Sequence, residues 1–242
     1  MIRLHSIESL GTYDGPGVRL VLFTQGCNLK CKYCANPDTI DKVGESRLYS
    51  YDELMKLAES QRPFFGKRGG ITMSGGEPLM QAKAILPFFK MLKENGFNTC
   101  LDTNGSYITK DVKELLEYTD LVLLDIKEMN DEAHHNIAGA SNKATLRMAQ
   151  YLHEINKPVW ARYVLVPGYT DSEEHLHTLG EFLQPMENVE KLEIQPYHKL
   201  GVHKYDSLGW KYELEGVSQN SPEQLQRAKD ILDQYIGEVI VN

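Results

Sequence analysis

Val18-Arg-Leu-Val-Leu-Phe-Thr-Gln-Gly-Cys-Asn-Leu-Lys-Cys-Lys-Tyr-Cys34 runs from a block of apolar, strand-forming residues into three cysteines spaced C-x3-C-x2-C. The block shows little polar alternation, which predicts a strand covered on both faces, as in a parallel sheet. Three thiols delivered by one short loop at the end of such a strand point to metal or cluster ligation. Disulfides are disfavoured, because cysteines this close in a tight loop rarely reach bridging geometry. The only other cysteine, Cys100, falls inside a second apolar block.

Similar blocks recur at 70–73, 98–101, 121–125, 159–166 and 189–194, and with 18–23 they predict six buried strands. Helical spacing covers 51–61, 81–95, 110–118, 142–156, 172–183 and 222–235. Ser221 before Pro222 reads as an N-cap with proline in the first turn, Asn95-Gly96 as a helix stop, and Asp171 or Ser172 as the start of the fifth helix. Six strand–helix units in order predict an α/β fold with a parallel sheet, doubly wound or curled into a full or partial barrel. The strand ends favour the barrel, since barrel enzymes gather their chemistry there. The cysteines follow the first strand, Ser74-Gly-Gly-Glu77 the second and Asp102-Thr-Asn-Gly105 the third. Asp125 and Lys127 end the fourth, and Gln195-Pro-Tyr-His198 the sixth. Without repeats or linkers, residues 1–242 read as one domain, in which 197–220 is long enough to form a mobile flap.

Composition narrows the function classes. With 242 residues, 41% apolar and 25% charged, the chain can bury a substantial core. A net charge of −8 argues against nucleic acid, whose phosphates require clustered Lys and Arg. The sequence shows neither a secretory h-region nor a membrane-length apolar run, so a cytosolic protein with a protein or small-molecule partner is expected.

Zinc sites usually draw four ligands from separated pairs, whereas iron–sulfur clusters take grouped cysteines. Three thiolates without a local fourth therefore imply a cluster with one open iron. A zinc knuckle completed by Cys100 or His5 is the alternative. In Gly75-Gly76-Glu77 the glycines permit close backbone approach, although Gly-Gly-Glu-Pro is also an ordinary turn opening a helix. Asp125 and Lys127 share a strand face by period 2, within reach of a ribose and a carboxylate. Asp102 and Thr103 could join Asp125 in holding a hard, monovalent cation, or serve as polar rim. His198 could hydrogen-bond cofactor or substrate, while His134, His135, His175, His177 and His203 lack metal spacing and read mostly as surface histidines.

The C-x3-C-x2-C loop with Gly75-Gly76-Glu77 resembles the radical S-adenosylmethionine (SAM) superfamily. That resemblance implies a 4Fe–4S cluster on Cys27, Cys31 and Cys34 whose open iron chelates SAM. Reductive cleavage would then give a 5′-deoxyadenosyl radical. Further blocks, Glu8-Ser-Leu-Gly-Thr-Tyr-Asp-Gly-Pro-Gly17, Cys100-Leu-Asp-Thr-Asn-Gly105, Asp125-Ile-Lys127, Trp160-Ala-Arg-Tyr-Val-Leu-Val-Pro-Gly168 and Pro196-Tyr-His198, are similar to those of the glycyl-radical-enzyme activases. The absence of cysteines from 35 to 74 favours the type acting on pyruvate formate-lyase over activases with auxiliary clusters. The resemblance implies a partial (β/α)6 barrel, TIM-like and open laterally, acting as a monomer. Tyr33, Cys34, Ala35, Gly75, Gly76, Glu77, Asp125, Ile126, Lys127 and His198 would surround SAM; Ala35 stands where some relatives have histidine. Asp14, Arg162 and His198 would contact the partner's glycine loop. Lys30 and Lys32 suggest a docking spot for an acidic flavodoxin or ferredoxin. Other readings are an activase for another glycyl-radical enzyme, a radical SAM enzyme with a small substrate, and an iron–sulfur or zinc module without catalysis.

Overall fold

The computed structural model describes residues 1–41, 44 and 46–242, which group into two compact units. The first comprises Met1–Asn28 and Thr39–Leu123, the second Leu29–Asp38 and Leu124–Asn242.

In the first unit the strands are β1 (Ile2–Gly11), β2 (Arg19–Thr24), β3 (Arg47–Tyr49), β4 (Gly70–Gly75), β5 (Thr99–Thr103) and β6 (Leu121–Asp125), whose last two residues belong to the second unit. Their order is β3-β1-β2-β4-β5-β6. β1 runs antiparallel to β2 and β3, whereas β2, β4 and β5 are parallel neighbours. Leu20, Val21 and Leu22 of β2 and Ile71, Thr72 and Met73 of β4 are all buried, which explains their near-continuous apolar character. The unit's helices are α1 (Tyr51–Gln61), α2 (Ala82–Glu94) and α3 (Lys110–Glu117). Ser50 and Glu53 cap α1 reciprocally, each side chain accepting from the other's backbone N–H. Asn95 ends α2, with Gly96 at φ +73°.

The second unit continues from β6 with β7 (Val159–Leu165), β8 (Val189–Pro196) and β9 (Val239–Val241), the last three parallel. Its helices are α4 (Asp131–Ala138), α5 (Lys143–Glu154), α6 (Glu173–Leu183), α7 (Val202–Leu208) and α8 (Pro222–Leu232). Ser172 caps α6, and Ser221 with Gln224 forms a capping box on α8 ahead of Pro222. β9 pairs with β8 and ends the strand order of this unit.

All six expected strand–helix units are present, with boundaries moved by a few residues. The structure adds β1, β3, β9, α4 and α7. Beyond Ile2 and Leu4, β1 is largely solvent-facing and carries too little buried apolar signal to stand out. β3 and β9 are three residues each. Segment 197–220, expected as a flap, carries its own core: Tyr205, Tyr212 and Leu214 are buried with Tyr197 and Val166, and the Tyr197 and Tyr212 hydroxyls are 2.6 Å apart. No described helix is long and apolar enough to cross a membrane.

Candidate functional site

The first unit's functional residues gather at the C-terminal ends of β2, β4 and β5. Gly26 N–H donates to the Thr39 carbonyl (2.8 Å) and Cys27 N–H to that of Ile40 (3.0 Å), which fixes the chain entering the cysteine loop. Across from it, Gly76 N–H donates to Thr24 (2.9 Å) and Glu77 N–H to Gly26 (2.8 Å). These backbones approach so closely that a Cβ on Gly76 would lie 2.2 Å from the Gly26 carbonyl oxygen, so the second glycine of the motif is sterically required.

Glu77 points inward and is fully buried. Its carboxylate accepts from Thr103 Oγ1 (2.6 Å), Asn104 N–H (2.8 Å) and Leu79 N–H (2.9 Å), fastening the loop after β4 to the one after β5. Burial pushes its pKa up to about 7, against the lowering effect of those three donors. Ser74 Oγ donates to Asp102 Oδ2 (2.6 Å). Asn104 Nδ2 donates to Asn28 Oδ1 (3.2 Å) and points at Cys27 Sγ from 4.0 Å.

In the second unit, the remaining cysteine-loop residues lie against α4 and α7. Lys30 N–H donates to the Ala138 carbonyl (3.0 Å) and Lys32 N–H to Ile137 (2.9 Å), satisfying acceptors at the end of α4. Tyr205 Oη donates to the Cys34 carbonyl (3.1 Å), and Lys204 Nζ to Asn36 Oδ1 (2.8 Å) and Asp38 Oδ1 (3.1 Å). A Cβ on Gly201 would sit 2.4 Å from the Ala35 carbonyl oxygen, so α7 begins against the loop's backbone.

Asp125 and Lys127 pair at 2.6 Å. Burial acts to lower the lysine's pKa, but Asp125, Tyr33 and Cys31 outweigh it and hold it well above the usual lysine range. The Lys127 ammonium lies 5.7 Å from the Tyr33 ring centre, and the Tyr33 hydroxyl is buried with no hydrogen-bond partner. Ile126 is buried, its N–H donating to the Arg162 carbonyl (2.9 Å). Arg162 is itself buried and pairs through Nε with Glu193 Oε2 at 2.9 Å; Lys191 holds the other Glu193 oxygen at 2.8 Å. His198 is exposed, with Nδ1 accepting from Leu200 N–H at 3.3 Å.

Within each unit the cysteine surroundings suit thiolate ligation. Cys27, Cys31 and Cys34 are unbridged and half-buried, and an amide group is aimed at one sulfur. In the bare protein, burial pushes the Cys31 thiol up to about 12. A bound metal centre would displace that proton. The orphaned Tyr33 hydroxyl and the Asp125–Lys127 pair offer donors and acceptors to a polar cofactor. Among the described residues no group of three His, Cys, Asp or Glu side chains is set to hold a single metal ion, and Thr103 Oγ1 is engaged by Glu77 and Gly105.

The histidine reading needs correction. Only His135 and His203 of the five are exposed; His134 is buried, and His175 and His177 are half-buried, with Glu128 Oε2 3.1 Å from His175 and the Tyr235 hydroxyl 2.8 Å from His177. The partners of His175 and His177 lie far away in sequence, so spacing gave no warning of them. Sequence reasoning also assigned no role to Asn104, Glu193 or Tyr205. Asn104 lay within a quoted motif; the other two carried no local signal.

The family model of the radical SAM superfamily matches residues 21–179. The chain is 48% identical over 236 residues to the pyruvate formate-lyase 1-activating enzyme of Escherichia coli K12, covering 96% of both chains. It is 47% identical over 232 residues to the pyruvate formate-lyase-activating enzyme of Staphylococcus aureus USA300, covering 93% of this chain and 92% of that one. Among solved structures, Streptococcus suis SuiB bound to SAM superposes with a TM-score of 0.71 at 15% identity, over 93% of this chain and 50% of that one. A domain of pyruvate-formate lyase-activating enzyme from Bacteroides vulgatus gives 0.61 at 24% identity, over 72% and 99%. The structural likenesses establish the fold, the partial α/β barrel of this class. With a family model over most of the chain and near-half identity to full-length relatives, the chain belongs to the radical SAM superfamily and, within it, to the family of the pyruvate formate-lyase activating enzymes.

Proposed function

We propose that this chain generates a glycyl radical on pyruvate formate-lyase, using SAM and a 4Fe–4S cluster held by Cys27, Cys31 and Cys34. The observation that carries the reading is the unbridged C-x3-C-x2-C loop in a chain matching pyruvate formate-lyase activating enzymes along almost its whole length. When bound, the cluster and SAM supply reductive sulfur–carbon cleavage and a 5′-deoxyadenosyl radical that removes a Cα hydrogen from a glycine of the partner. The protein's residues bind, orient and exclude water.

In this reading Gly75, Gly76 and Glu77 shape the backbone cradle for the methionine end of SAM, Glu77 by bracing the neighbouring loop. Asp125 and Lys127 face ribose and carboxylate, with Tyr33, Cys34, Ala35, Ile126 and His198 completing the surroundings. Asp102, Thr103 and Asp125 take a hard cation. Asp14, Arg162 and His198 meet the partner's glycine loop, and Glu193 fixes the plane of the Arg162 guanidinium. Residues 1–242 act as one radical SAM domain, a reading supported by the relatives' coverage. For the electron donor, Lys30 is exposed and suits an acidic flavodoxin or ferredoxin, while Lys32 is tied to Asn136 (2.8 Å) and Glu213 (3.4 Å) and contributes less.

The test is anaerobic reconstitution with iron, sulfide, SAM, reductant and purified pyruvate formate-lyase. Both 5′-deoxyadenosine and a glycyl doublet in the EPR spectrum are expected. Absence of both from a cluster-loaded sample refutes the reading.

A further inference from the structure

Arg19, the first residue of β2, is fully buried, and every acceptor of its hydrogen bonds is neutral. Nε donates to Thr72 Oγ1 (2.6 Å), Nη1 to the carbonyls of Pro16 (3.0 Å) and Arg68 (3.4 Å), and Nη2 to the Ile71 carbonyl (2.9 Å) and to Asn98 Oδ1 (2.9 Å) and O (3.5 Å). A guanidinium taken out of water without a hydrogen-bonded carboxylate carries a desolvation cost that its set of carbonyl, amide and hydroxyl acceptors has to offset. A residue of this kind calls for a role beyond packing.

Its bonds converge on one turn. Thr72 Oγ1, which accepts from Arg19, donates its own proton to the Asp14 carbonyl (2.6 Å), so that hydroxyl has one orientation. The carbonyls of Asp14 and Pro16, on either side of Gly15, are therefore gripped by one linked pair of side chains. Gly15 has φ +117°, and a Cβ there would lie 3.0 Å from Cys100 Sγ and 3.1 Å from Arg19 Cδ. Gly17 has φ +71°, and its Cβ would come within 2.7 Å of the Gly69 nitrogen. The turn has little apolar anchoring of its own: Tyr13 is 73% exposed and Leu10, in a left-handed conformation at φ +65°, is 52% exposed. Polar clamping from beneath thus does the work that buried side chains do elsewhere in the unit.

We propose that Thr72 and Arg19 are positioning residues for partner recognition, holding the turn of residues 14–17 in the conformation that presents the Asp14 carboxylate to the partner's glycine loop. This rests on the reading above in which Asp14 meets that loop. Neither residue touches the reacting atoms.

The experiment measures the initial rate of glycyl radical formation against the concentration of purified pyruvate formate-lyase, using the cluster-loaded enzyme as wild type, T72V, T72S, D14N and the T72V/D14N double variant. T72V keeps the shape and removes the hydroxyl; T72S keeps the hydroxyl. Expected for T72V is a rise of about ten-fold in KM for the partner, the effect of one misplaced charge-assisted contact, with kcat altered less than about two-fold. T72S is expected to restore the wild-type KM, and the double variant to be no worse than D14N alone, because Thr72 acts through Asp14. Full additivity of T72V and D14N, or an unchanged KM in T72V alongside a raised one in D14N, overturns the positioning role while leaving the Asp14 reading intact. An unchanged KM in D14N overturns the Asp14 reading and the proposal with it. If T72V does not fold, T72A is measured in its place against the same outcomes.

Discussion

Glu77→Gln separates two opposing influences on one buried carboxyl group. Desolvation raises its pKa to about 7, while hydrogen bonds from Thr103, Leu79 and Asn104 favour the ionised form. A carboxyl that ionises near 4.5 in the unfolded chain and near 7 in the folded one binds more protons folded than unfolded between those values. Stability attributable to Glu77 is therefore greatest at low pH, falls as pH rises from about 4.5 to about 7, and is flat above. Between pH 5.5 and pH 8 the loss is about 2 kcal/mol. Glutamine does not titrate, but its amide opposes the Asn104 N–H with another donor, a pH-independent penalty of about 1–3 kcal/mol. The assay is urea unfolding of the cluster-free chain, wild type and E77Q side by side at both pH values, so that all other titrations cancel. E77Q should be clearly less stable at pH 5.5, with the gap closing by about 2 kcal/mol at pH 8. A gap that stays constant or widens with pH would mean that the three donors win, and would refute the desolvation argument.

Three further outcomes are expected. D125N leaves the Lys127 ammonium without its partner at 2.6 Å, and should lower unfolding free energy by about 3 kcal/mol in the same urea assay; a loss below about 1 kcal/mol would show that solvent already screens the pair. G76A forces a Cβ into the Gly26 carbonyl, so iron content after reconstitution should drop while far-UV circular dichroism stays native; wild-type iron loading would show that the loop yields at little cost. S221A removes the α8 cap and should cost about 1 kcal/mol by urea midpoint with glycyl radical formation unchanged; a loss of radical formation would tie α8 to function.

The repeating strand–helix order was legible because β2, β4 and β6 are buried on both faces and so read as unbroken apolar blocks. β1 escaped because most of its residues face solvent, and α7 because it is a seven-residue helix whose one buried residue, Tyr205, gives no helical periodicity to read. At the site, the cysteine spacing that points to a cluster, and the glycines that with it carry the superfamily resemblance, showed in the sequence. The direction of the Glu77 carboxylate did not, nor did the commitment of Lys32 to Asn136 or the pairing of Arg162 with Glu193. Each depends on a partner from 26 to 104 residues away, and no local pattern encodes such a contact. Arg19 shows the limit most plainly: in sequence it is only a charged residue at the edge of an apolar block, and its acceptors come from three separate stretches of chain, at 16, 68–72 and 98.

The approach of Gly201 to Ala35, with Tyr205 on the Cys34 carbonyl and Lys204 on Asn36 and Asp38, has a consequence for how small this protein can become. A fragment ending near residue 196 would retain every cysteine and the whole stretch matched by the superfamily, yet it would release the carbonyl and backbone surface behind the third thiol into water. The part of the chain that defines membership is thus shorter than the part that shapes the ligand loop. Variation in the last fifth of the sequence, far along the chain from every cysteine yet packed against the third one's carbonyl, tunes how firmly that loop is held.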